Sequence, residues 1–125
     1  MALRALFVVL ALVCIGVAAH ALRADHRCTQ AQAEARTAAP AALPGVANAI
    51  ADRCGDPRQQ IIGAVLIGGR GQRDVATALA RRVAAQHPGD YLGWLAIYRI
   101  GGDQRALARA HALNPRAVPP PARRQ

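Results

Sequence analysis

Three cysteines, four histidines and seven carboxylates are the residues in this 125-residue chain that could do chemistry. Their spacing decides against most of it. Cys14 lies inside an apolar run and reads as a small buried hydrophobe. His20, His26, His87 and His111 are scattered, and none has a Ser, Cys or paired acid at catalytic spacing. His26 and Cys28 alone make no tetrahedral metal set. Glu34 is the only glutamate, and Asp56, Asp74, Asp90 and Asp103 each stand where a helix N-cap is expected. Gly68-Gly69-Arg70-Gly71-Gln72 has the glycines of a phosphate loop but not its Lys-Ser/Thr ending, so it reads as a turn between helices. The expectation is a protein that is not an enzyme, with no catalytic residues, no cofactor, no metal and no small-molecule substrate.

Cys28 and Cys54 carry the one specific chemical expectation. A turn centred near Ala41 and Ala42 joins two helix candidates, and the two cysteines stand at nearly equal distances before and after it. Antiparallel packing would set them level, and in an oxidising compartment they would form a disulfide. Closing a loop of this size contributes roughly 3 kcal/mol in the chain-entropy account. Two unpaired thiols in a cytosolic protein are the alternative.

The elements that would position these groups read as helices throughout. Ala5 to Ala19 (ALFVVLALVCIGVAA) holds no charged side chain, and the apolar stretch continues past His20 to Leu22. A soluble helix is not apolar on every face, so this is a membrane or export segment. As a signal peptide it would be cut after Ala19 or Ala21. As an uncleaved anchor, residues 5–22 are just long enough to span. A lipoprotein would need a small residue before Cys14, where Val13 stands. Arg4 on one side and Arg23 with Arg27 on the other leave the orientation open. Arg23 to Ala39 is a polar, Ala-rich helix candidate that could continue the anchor as one rod. Pro40 and Pro44 shape a connector. Further helices are expected over Val46–Arg53, Gln59–Ile67, Asp74–Gln86, Tyr91–Ile100 and from Asp103 to about Leu113, with Gln59–Ile67 the most buried outside the membrane. The domain plan is an anchor or signal segment at 1–22, a helical hairpin stalk at 23–56, helical repeats at 57–115, and an extended or disordered Pro/Arg tail at 116–125.

The stretch from Pro88 to Pro115 resembles the tetratricopeptide repeat family. Trp94 six residues after Pro88, the Gly102-Asp103 turn, Ala106-Leu107, and the ending Ala110-His111-Ala112-Leu113-Asn114-Pro115 carry the likeness. A copy before it, about Pro57 to Pro88, has small residues at Ala64, Ala76 and Ala80, but Gln60 where the family has Trp. The second copy is 27 residues long, against about 34 for the family. The resemblance implies an all-α stack of antiparallel hairpins and a groove that binds a protein segment, with Tyr91, Trp94, Tyr98 and Arg105 as contact candidates. The competing assignment for Trp94 and Tyr98 is inter-helix core. Two repeats give only a shallow groove, which self-association or docking on a larger complex would remedy.

Composition supplies a second function class. All sixteen basic residues are Arg, for a formal net charge of +9. Such a chain can bind anionic lipid or cell-wall polymer through its dispersed arginines and its Pro-Pro-Pro-Ala-Arg-Arg tail. GC-rich codons would also produce Ala, Arg, Gly and Pro without Lys. Nucleic acid is not favoured, because aromatics are not interleaved with the basic residues and no binding motif is present. The expected location is a single-pass membrane protein with its helical domain outside the cytoplasm, or else a secreted protein. With one Phe, one Trp and two Tyr, the core is expected to be thin.

Overall fold

Between Ala2 and Thr37 the chain has no proline and one glycine, Gly16, and long runs of Ala and Leu favour helix. The computed structural model describes the backbone of residues 2–121 and side chains from residue 6. In it the first helix, α1 (Ala2–Thr37), runs unbroken for 36 residues, about 54 Å at the helical rise. The expected continuous rod of apolar segment and stalk is therefore present. From Leu6 to Leu22 the large apolar side chains are exposed on all sides. By length and composition this helix can cross a membrane, with a mean hydropathy of 2.3 over its apolar window. Only beyond Arg23 does α1 acquire a buried stripe, Cys28, Ala31 and Ala35, spaced for one helical face.

A single 3-10 turn at Pro40–Ala42 leads into α2 (Leu43–Arg53). Pro44 does not lie in a connector, as expected, but in the first turn of α2. There its missing N–H deprives no hydrogen bond, so α2 starts before Val46. The remaining helices are α3 (Pro57–Gly69), α4 (Arg73–Gln86), α5 (Tyr91–Gly101) and α6 (Gln104–Leu113). Asp56, Asp90 and Asp103 cap α3, α5 and α6 by accepting backbone N–H groups. Asp74 does not cap. Gln72 is the N-cap of α4, and Asp74 lies inside its first turn, where a carboxylate still meets the positive end of the helix dipole. Gly71 and Gly102 hold left-handed backbone, φ +85 and +76, at the turns into α4 and α6, a conformation that glycine adopts without strain.

Successive helices pack as antiparallel hairpins, and α3 also lies against α1 and α5. The fold is all-α, and among the described residues there is no strand. Alanine makes much of the core: Ala31, Ala35, Ala64, Ala76, Ala80 and Ala110 are fully buried. Small side chains let helix axes approach closely, while Leu43, Ile50, Ile67, Leu79 and Val83 are among the larger buried side chains. Arg70 ties the far end of the stalk, donating from one guanidinium nitrogen to the carbonyls of Ala38 at 2.6 Å and Ala35 at 3.3 Å. Ala35 lies in the last turn of α1 and Ala38 just beyond its end, where carbonyls have no helical N–H to accept from.

Two expectations about burial are corrected. Helix α3 buries Gln60, Gly63, Ala64 and Ile67 but leaves Ile62 and Val65 exposed, whereas α4 buries five residues. Apolar residues surround α3, and its neighbours cover only one side. The segment from 116 also does not begin as a free tail. Residues 115–117 turn, Val118 is buried against Leu107 and Ala110, and the Nδ1–H of His111 donates to the Val118 carbonyl at 2.7 Å. Residues 122–125 of the expected tail lie outside the described residues.

Candidate interaction surface

Tyr91, Trp94 and Tyr98 fall three and four residues apart in α5, and this spacing puts them on one face. The structure covers that face. All three are half-buried and pack against Leu107, Ala110 and Val118 of the C-terminal hairpin. The indole N–H of Trp94 donates to the Pro88 carbonyl at 3.2 Å, which fixes the α4–α5 turn to the ring. The aromatic residues therefore act as inter-helix packing. Arg105 is exposed in the first turn of α6 and shares a shallow hollow with Trp94, Ala85 and Ile97. Tyr98 borders a different hollow, and Tyr91 borders neither. Of the four contact candidates, Trp94 and Arg105 share one hollow, while α6 and Val118 stand across much of the face of α5 that carries the aromatic residues.

A second groove, which Tyr98 borders, lies between α3 and α5 above the start of α4. Val65, Gly68, Thr77, Tyr98 and Ile100 line it, and Arg73, Asp74 and Arg99 stand at its rim. Ile62 lies one helical turn before Val65 on α3, outside the lining of the groove. Among the described residues, Ile62 and Val65 are the large apolar side chains most exposed outside residues 6–22, at 45% and 53%. Sequence reasoning missed them, although one signal was there. Ile61, Ile62, Val65, Leu66 and Ile67 leave α3 no polar face, so a helix with neighbours on one side only must expose some of them.

The disulfide stands at the base of the domain. Cys28 of α1 is bonded to Cys54 at the end of α2, as the hairpin spacing led one to expect. Beside it the amide Nε2–H₂ of Gln32 donates to the Gln59 side chain at 2.8 Å and to its carbonyl at 2.9 Å. Buried Gln60 donates to the Cys54 carbonyl at 2.7 Å, so the α2–α3 turn is held from both sides. Among the described residues no three His, Cys, Asp or Glu side chains gather as a metal site. No family model, curated protein or solved structure matches this chain. The likeness to tetratricopeptide repeats rests on the residues that carry it.

Proposed function

We propose that this chain is a membrane-tethered helical scaffold, non-catalytic, with its folded domain outside the cytoplasm and a protein partner seated along α3 and α5. Residues 5–22 are the tether. The disulfide supports an oxidising compartment. The observation that carries the binding role is the pair Ile62 and Val65, exposed beside an open groove in a domain whose other large apolar side chains are covered. Arg73 and Arg99 at the rim suit a partner helix or strand with apolar anchors flanked by acidic residues. The tetratricopeptide-like hairpins support the same role, since arrays of that family present a groove to a peptide.

Photocrosslinking in intact cells tests this. A photoreactive residue in place of Val65 is expected to capture one protein reproducibly, and the same residue in place of Ala108 on exposed α6 is not. Ile62→Asp should remove the product, and high salt should leave it. Equal products from both positions, or none from position 65, would reject the groove as the binding surface.

A further inference from the structure

The α2–α3 turn is brought to the membrane end of the domain, and it carries arginines with it. Leu22 is the last residue of the apolar stretch. Cys28 follows six residues later, so it stands about 9 Å farther along the axis. Headgroups add about 5–8 Å to each side of the hydrocarbon core. A turn bonded to Cys28 therefore meets the outer edge of the headgroup layer when residues 5–22 span the bilayer. Ala24, Asp25, Arg53, Asp56 and Gln59 border one cleft there.

Four arginines occupy this level: Arg23 and Arg27 on α1, Arg53 and Arg58 at the turn, all exposed. Among the described residues none of these four side chains is paired. The nearby ion pair at 3.2 Å joins Arg82 to Asp52 and uses none of them. Asp52, next to Arg53, is taken up by Arg82, so the carboxylates left at this level are Asp25 and Asp56. Asp56 is engaged in capping, with Oδ1 accepting the Arg58 backbone N–H at 2.8 Å. Four guanidinium groups against two carboxylates leave a surplus of positive charge where a bilayer presents phosphates.

We infer that the disulfide-clamped turn and the first turns of α1 beyond Leu22 form a binding site for the phosphate headgroups of anionic lipid, with Arg23, Arg27, Arg53 and Arg58 as donors. Guanidinium forks match phosphate oxygens in pairs. The disulfide makes one site of two segments that lie far apart in sequence, and the bound lipid holds the domain against the membrane surface. This site rests on the reading of residues 5–22 as a retained tether. It uses a different surface from the α3–α5 groove.

The test is native mass spectrometry of the full chain released from detergent micelles after mixing with phosphatidylglycerol or phosphatidylcholine. The native chain is expected to retain phosphatidylglycerol in preference. Arg53→Gln with Arg58→Gln should lower that retention about tenfold or more, since each basic residue near an anionic surface contributes strongly. Arg109→Gln with Arg116→Gln removes the same charge from the C-terminal end of the domain and should change nothing. Reduction of the disulfide leaves the charge unaltered and should lower retention as the turn variant does. Equal loss in the two double variants would overturn the site in favour of diffuse charge. Equal retention of both lipids would overturn it outright, as would displacement of the lipid by millimolar inorganic phosphate. A mass lacking the first 19 to 21 residues, or a chain monodisperse without detergent, would instead remove the tether and the site with it.

Discussion

A Cβ added to Gly93 would stand 3.0 Å from both the backbone nitrogen and the Cα of Ala84, so α5 lies directly on the backbone of α4 at that point. A side-chain neighbour could rotate away, but a helix backbone cannot. Gly93→Ala should therefore separate the two helices at a cost of about 1–3 kcal/mol, only partly offset by the roughly 1 kcal/mol by which Ala favours helix over Gly. Gly45→Ala is the control. A Cβ there meets nothing within 4 Å, and the change should be neutral or stabilising. Thermal unfolding followed by circular dichroism decides between these outcomes. A Gly93→Ala midpoint at or above the native one would mean that the close contact does not exist.

Reduction of the Cys28–Cys54 bond should loosen the base of the domain more than its far end. The two cysteines are 26 residues apart, and release of such a loop costs about 3 kcal/mol in the chain-entropy account. For an Ala-rich core this is a large share of the stability. Hydrogen exchange with and without reductant should show the greatest loss of protection in α2 and the start of α3. Uniform exchange in both conditions would mean that the Gln32–Gln59 and Gln60–Cys54 hydrogen bonds hold the turn unaided.

The aspartates make a sharper test than their common type suggests. Asp103 accepts from the backbone N–H groups of Arg105 and Ala106, and Asp103→Ala should cost about 1 kcal/mol. Asp74 accepts no cap hydrogen bond, so Asp74→Ala should cost only the dipole interaction, about 0.3–0.5 kcal/mol. Urea melts of the two variants should differ accordingly. Equal shifts would restore Asp74 as a cap.

Much of this architecture was legible because it is written in local signals. Pro88, Gly102 and the Asp caps at Asp90 and Asp103 delimit the ends of α4, α5 and α6 by backbone chemistry alone, and the nearly equal distances of Cys28 and Cys54 from the turn pointed to the pairing that the structure contains. What was not legible depends on neighbours. Gly71 bends the chain so that Gln72 rather than Asp74 precedes α4. Val118 is one apolar residue in a Pro-rich segment, without periodicity to mark it, and is buried because Leu107 and Ala110 leave a space beside α6. The spacing of Tyr91, Trp94 and Tyr98 states that they share a face but not that the C-terminal hairpin covers it. From Ile61 onward every face of α3 is apolar, so the direction of Ile62 and Val65 follows only from where α1, α2, α4 and α5 stand.

Trp94 and Val65 consequently separate packing from binding. Trp94→Ala removes a half-buried ring from the α5–α6 contact and the hydrogen bond to Pro88. It should lower stability by about 2–3 kcal/mol, below the range for a fully buried Trp. Partner capture lost in that variant would report unfolding as much as recognition. Trp94→Phe keeps most of the packing and should retain capture with a cost of about 1 kcal/mol. Val65→Asp alters an exposed position, where substitutions shift stability by about 0.5 kcal/mol or less, and should abolish capture at an unchanged thermal midpoint. Midpoint and crosslink yield, with the photoreactive residue moved to position 62, measured on the same three variants settle the assignment. Capture that follows the midpoint through the series would place recognition in the folded α5–α6 hairpin, whereas capture lost only in Val65→Asp places it on α3.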